Sequence, residues 1–148
     1  MLKSLLSKAN YIDLSRVSYL IADRNWVTRN ILMRVLRNFS ATDVRETSTT
    51  RIALDMIVAR PPEIIFLGLV PGRTDEIDFL KTLRQSGNAS FVYIPTIVLF
   101  EAACAKQAAT AVGLGADSSI IVPFSAATIE AHLLRVLGDH RFVGRRSE

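Results

Sequence analysis

Few side chains in this sequence are of a type and spacing to do chemistry. Asp23 stands beside Arg24, a carboxylate next to a guanidinium with no second acid adjoining. Asp75, Glu76 and Asp78 follow the Pro71-Gly72 turn. Three acids could hold a cation, but acids opening a helix are explained by the helix dipole, and that is the reading adopted. Cys104 is the single cysteine, so it forms no internal disulfide, and no His or Lys cluster adjoins it to depress its pKa. His132 and His140 stand apart without thiol partners, so neither zinc nor any other cofactor is expected. Gly113 and Gly115 resemble a fragment of a nucleotide loop, yet they follow helical spacing and lack the full motif, and so they read as a helix stop. Arg141, Arg145 and Arg146 close the chain around Phe142, and guanidinium forks of this kind suit phosphates and stack on bases.

The chain around these groups has 148 residues, enough for one domain with a real core. With 49% hydrophobic and 22% charged residues it is too apolar for disorder. The longest uncharged apolar stretch, 108 to 122, is broken by Gly113, Gly115 and Asp117, so no membrane insertion is expected. The start, residues 1 to 10, lacks the apolar core and cleavage site of a signal peptide, which predicts a cytoplasmic location. The net charge is +4, with a pI near 9.6. From 17 to 137, however, 12 basic residues face 11 acidic ones, so the excess lies mainly at the two ends. This argues weakly for a nucleic-acid-binding domain and modestly for basic ends that touch an anionic partner.

Short apolar runs alternate with stretches of helical spacing from residue 17 onward. Strands are predicted at 17–22, 41–46, 64–70, 96–100 and 119–122, and helices at 26–39, from about 50 to Pro61, 75–85, 102–114 and 126–137. In the first helix Val27, Ile31, Met33 or Arg34, Val35 and Phe39 are spaced for one helical face. The uninterrupted apolar run Ile64 to Val70 reads as a strand covered on both sides. Five strands alternating with five helices give an α/β fold: a doubly wound, five-stranded parallel sheet of flavodoxin-like (CheY-like) order, helices on both faces. Any site then lies at the carboxyl ends of the strands. The chain divides into an N-terminal extension, 1–16, that could be helical, the domain at 17–137, and a basic tail at 138–148.

Leu20-Ile21-Ala22-Asp23, the Pro71-Gly72 turn, Pro95-Thr96-Ile97-Val98-Leu99, Gly115-Ala116-Asp117 and Pro123-Phe124 together resemble the receiver family of bacterial two-component signalling. The resemblance spans roughly 17–137. It implies an acidic pair after the first strand for magnesium, an aspartate ending the third to accept a phosphoryl group, a Ser or Thr ending the fourth, and a Lys ending the fifth. Asp23 followed by Arg24 keeps one acid and replaces the other with a cation, which opposes magnesium. Counting back from Pro71, the acceptor falls on Leu67, or on Gly68 if shifted by one. The hydroxyl position becomes Phe100, the Lys becomes Val122, and the aromatic switch position becomes Ser119. Leu67, Phe100 and Val122 are therefore expected to converge in an apolar pocket where the phosphoryl group would sit, and Asp23 to pair with Arg24, another Arg or backbone amides.

The expectation is a degenerate pseudo-receiver that is no enzyme. It would bind a histidine kinase, a response regulator, another regulator or itself as a homodimer. The resemblance implies the face of the last two helices and last strand as the partner surface, represented by Ala105, Ala108, Ala109, His132 and Arg135. Two alternatives stay open. One is a receptor for an anionic nucleotide such as a cyclic dinucleotide, held by Arg141, Arg145 and Arg146. The other is a nucleic-acid-binding regulator using both ends.

Overall fold

The computed structural model describes residues 12–147, of which 141–147 by backbone alone. Asp13 caps a 3-10 turn at Leu14–Arg16, and the buried Tyr19 hydroxyl donates to the Leu14 carbonyl at 2.7 Å, fixing the entry into the sheet. Five strands follow: β1 (Ser18–Ala22), β2 (Asp43–Thr47), β3 (Ile64–Gly68), β4 (Thr96–Phe100) and β5 (Ser118–Ile121). All pair in parallel in the order β2-β1-β3-β4-β5, the doubly wound arrangement read from the sequence. The main helices are α1 (Trp26–Asn38), α2 (Thr50–Ala59), α3 (Asp75–Arg84), α4 (Ala105–Gly113) and α5 (Ala126–Ser147). A single helical turn at Ala89–Val92 and a 3-10 turn at Ala102–Cys104 complete the architecture.

Side chains of successive strand residues point to opposite faces, and this period of two splits the interior into two cores. Tyr19, Ile21, Phe66, Ile97, Leu99 and Ile120 pack under α1 and α5, against Leu32, Leu36, Ile129 and Leu133. Leu20, Ala22, Ile65, Leu67 and Val98 pack on the other side, against Ile57, Phe79, Leu80, Leu83 and Ala111. Buried on both faces, β3 has to be apolar throughout, as its sequence is.

Three expectations are corrected. In α1 the buried residues are Leu32, Met33, Val35 and Leu36, whereas Val27 and Ile31 are exposed. A line through 32 and 36 is as regular as one through 27 and 31, so spacing alone did not choose between them. The helix expected from residue 102 begins at Ala105, after the 3-10 turn. The last helix does not stop at Leu137 but runs through Ser147, roughly 33 Å long at 1.5 Å per residue, so the residues read as a tail have helical backbone up to that point. Gly138 carries the helix past Ile12, and a Cβ there would meet the Ile12 Cδ1 at an ordinary 3.7 Å. Of the extension at 1–16 that could be helical, residues 1–11 lie outside the described residues, and within 12–16 the helical element is the 3-10 turn at Leu14–Arg16.

Candidate functional site

The carboxyl ends of β1, β3, β4 and β5 bring together the loops on which a site was expected. Asn25 caps α1 by accepting from the amides of Val27 (2.9 Å) and Thr28 (3.2 Å), which turns the chain sharply after β1. That turn folds Asp23 inward until it is 6% exposed. Its Oδ1 accepts from the Asn25 amide at 2.8 Å, and its backbone carbonyl accepts from Arg29 at 2.7 Å. Burial pushes the Asp23 carboxyl up to about 6, against the Asn25 amide and the attraction of Arg29, with the Glu101 carboxylate adding to the rise.

Gly68 ends β3 directly against this carboxylate. A Cβ at Gly68 would stand 2.1 Å from both the Cγ and the Oδ2 of Asp23. The Asp23 carboxylate therefore fills the space in which any side chain at position 68 would begin. Of the two positions that counting from Pro71 allowed, Gly68 is the one facing Asp23, and Leu67 points the other way into the second core.

The same alternation dissolves the apolar pocket expected from Leu67, Phe100 and Val122. Leu67 and Phe100 pack with the second core, while Val122 packs with the first, across the sheet. Nor does Arg24 pair with Asp23. Its guanidinium reaches Asp75 at 2.9 Å, which also takes Arg73 at 3.3 Å. Asp23 is held instead by a backbone amide, one of the partners foreseen for it. Ser119 is half-buried on β5 opposite Val98.

All three acids after the Pro71-Gly72 turn lie in the first turn of α3, as the dipole reading requires. Glu76 turns inward, is 3% exposed, and neither of its carboxylate oxygens has a hydrogen-bond partner among the described residues. Burial raises its pKa. Cys104 is fully buried, and burial also pushes its thiol up, which removes it as a nucleophile. No group of three or more metal-ligating side chains occurs among the described residues.

Ala105 and Ala109 are exposed on α4, but Ala108 is 3% exposed and belongs to the core. His132 and Arg135 on α5 both reach the buried Ser118: the Oγ meets His132 Nδ1 and accepts from Arg135 at 3.0 Å. Desolvation and then the Arg135 charge lower the His132 pKa, favouring the neutral ring. The expected partner surface thus loses Ala108, and part of its polar reach is turned inward.

Two features went unread in the sequence. Asp117 gathers three elements: Oδ2 accepts from the Thr96 amide at 2.8 Å and from Arg84 at 3.2 Å, and Oδ1 meets His140 Nε2 at 2.7 Å. Its place in Gly115-Ala116-Asp117 was the available signal. The second is an open cavity of about 820 Å³ between the starts of α2 and α3. Arg24 and Arg51 on its walls are outnumbered by Asp55, Asp75 and Asp78, which leaves no positive surplus for an anionic nucleotide. Arg141, Arg145 and Arg146, the expected anion clamp, have side chains outside the described residues.

No protein-family model matches the chain, and no curated protein matches it. Solved structures do. The receiver domain of NtrX from Brucella abortus superposes with a TM-score of 0.71 at 22% identity, covering 81% of this chain and 98% of that one. The longer NtrX chain in complex with ADP gives 0.78 at 21% identity, covering 88% of this chain and 29% of that one. A protein described as a response regulator, from Chloroflexus aurantiacus, gives 0.73 at 22%, covering 82% and 97%. At these identities the likeness is one of fold: the chain has the flavodoxin-like architecture of receiver domains.

Proposed function

We propose that this chain is a pseudo-receiver, a cytoplasmic signalling adaptor or regulator of a bacterial two-component-type pathway that works by binding proteins and transfers no phosphoryl group. The observation that carries this reading is Gly68: the strand end facing Asp23 has no nucleophile, and the room for one is filled by the Asp23 carboxylate. The neighbouring positions support it. The positions where the resemblance calls for a hydroxyl and an ammonium hold Phe100 and Val122, and where it calls for a second acid for magnesium stands Arg24, engaged with Asp75. Electrostatic stabilisation of a transferring group has no source in such a set. Partners of this fold class are histidine kinases, response regulators or other regulators, with a second copy as a further option. The exposed Ala105 and Ala109, beside Arg135, remain the surface that the resemblance implies. No described feature favours the nucleotide or nucleic-acid alternatives.

The full chain, incubated with magnesium and acetyl phosphate carrying labelled phosphorus beside a phosphorylatable receiver, is expected to take up no hydroxylamine-sensitive label. Stoichiometric uptake would overturn the reading. Capture of partner proteins is expected to be the same with and without the phosphodonor.

A further inference from the structure

The amino end of the sheet, opposite the candidate site, carries a groove that the adaptor reading does not use. Two adjoining cavities of about 280 and 180 Å³ open there, and Tyr93 and His140 line both. Tyr93 is 72% exposed, more than any other large exposed hydrophobic residue among those described. The walls are stiff. Pro62 and Pro95, just before β3 and β4, have fixed φ, and Arg84 holds the Tyr93 segment by donating to the Val92 carbonyl at 3.3 Å. A groove whose shape is set before anything enters it costs little ordering to fill.

Charge and the path of the chain say what fills it. Among the described lining residues Glu63, Asp117 and Asp139 are acidic and none is Lys or Arg. Asp117 is engaged by Arg84 and His140, while Glu63 and Asp139 stand exposed at the rim. Glu63 also accepts from the Ser18 amide at 3.1 Å, which sets this rim beside the chain entering β1. Upstream, Ile12 packs on the first core, and a Cβ at Gly138, next to the lining Leu137, would meet its Cδ1 at 3.7 Å. Residue 12, to which residues 1–11 are joined, therefore stands at the edge of the groove, and eleven residues span up to about 36 Å. Those eleven include Leu2, Leu5 and Leu6 with Lys3 and Lys8, and no Asp or Glu. Leucines suit the apolar walls, and lysines suit the acids on the rim. A tethered segment meets the groove at an effective concentration of roughly millimolar order, which a second copy matches only in concentrated solution.

We propose that residues 1–11 dock in this groove of their own chain, with leucines beside Tyr93 and lysines toward Glu63 and Asp139. They thereby close the amino end of the sheet to any partner that does not displace them. The proposal goes beyond the adaptor reading and does not rest on it. Hydroxyl-radical footprinting of the full chain at low micromolar concentration reads Tyr93 directly, with Tyr19, 0% exposed, as the internal measure of folding. Tyr93 is expected to react slowly in the unaltered chain, and at least about threefold faster when Leu2→Glu, Leu5→Glu and Leu6→Glu are combined. Lys3→Glu with Lys8→Glu should act in the same direction. In the reciprocal test, Tyr93→Ser should speed amide exchange in residues 2–8. Should the leucine variant expose Tyr19, the lysine pair and Tyr93→Ser carry the test. Equal Tyr93 modification in the unaltered chain and both variants would overturn the proposal. So would protection that fades on dilution together with a dimer in sedimentation, which assigns the groove to a second copy, or protection gained only on adding a separate basic peptide, which assigns it to a partner. Failure of the docking leaves the adaptor reading standing.

Discussion

Because burial raises the Asp23 carboxyl to about 6, above its value in an unfolded chain, the folded protein holds a proton there that the unfolded chain has released between about pH 4 and 6. The associated stability is full below pH 4 and is lost as pH rises through 6. Asp23→Asn, whose amide oxygen can still accept from Asn25, is therefore expected to raise stability in urea melts at pH 7.5, by at most about 3 kcal/mol, and to leave it unchanged at pH 4. Gly68→Ala should destabilise, since its Cβ would collide with the same carboxylate. Asp23→Ala should relieve that cost, and a double-mutant cycle of chemical denaturation is expected to return a coupling of about 1–3 kcal/mol. At this scale the sequence marked Asp23 as a carboxylate in need of a partner and left Arg24, another Arg or backbone amides open; the structure supplies the Asn25 amide. It did not decide between Leu67 and Gly68, because in a strand one residue of register sends a side chain to the other face, and the turn at Pro71 did not fix that register. Glu76 was unreadable for a related reason: its neighbours Asp75 and Asp78 follow the dipole rule, and only the packing of α3 reveals which acid faces inward.

The strands were the most legible elements, since runs buried on both faces leave little ambiguity, and β4 matches its expected bounds at Thr96–Phe100. Helix α1 was legible in extent and misread in face. The overrun of α5 was hidden by Gly138, a residue that ends helices more often than it continues them. What holds the overrun is His140 on Asp117, a contact between residues 23 apart that no local pattern announces. The elements that Asp117 joins are of unequal weight: the first amide of β4, the guanidinium at the end of α3, and one ring on α5. Asp117→Ala is accordingly expected to cost about 2–3 kcal/mol, because it strands a strand amide and leaves a half-buried guanidinium with carbonyl partners alone. His140→Ala should cost less than about 1 kcal/mol and show chiefly as faster amide exchange in the helix beyond Gly138.

The whole molecule is one sheet serving two cores, so neither core can melt while the other stands. Leu36→Ala on the α1 side and Leu20→Ala on the α2 side, both at fully buried positions, are each expected to cost about 2–5 kcal/mol. Each should lower a single calorimetric transition and split neither. Two transitions in either variant would mean that the sheet does not couple its faces. This sharing also explains why the fold outlives the loss of phosphorylation chemistry proposed for it: the sheet is stabilised by residues such as Phe66, Ile97 and Leu80, none of which depends on what ends β3. The Asp23–Gly68 contact sets a direction in time. A descendant that merely changed Gly68 to aspartate would find the space occupied, so position 23 would have to give way first. An acceptor at position 68 would therefore have to come second, after a substitution at position 23 had cleared its space.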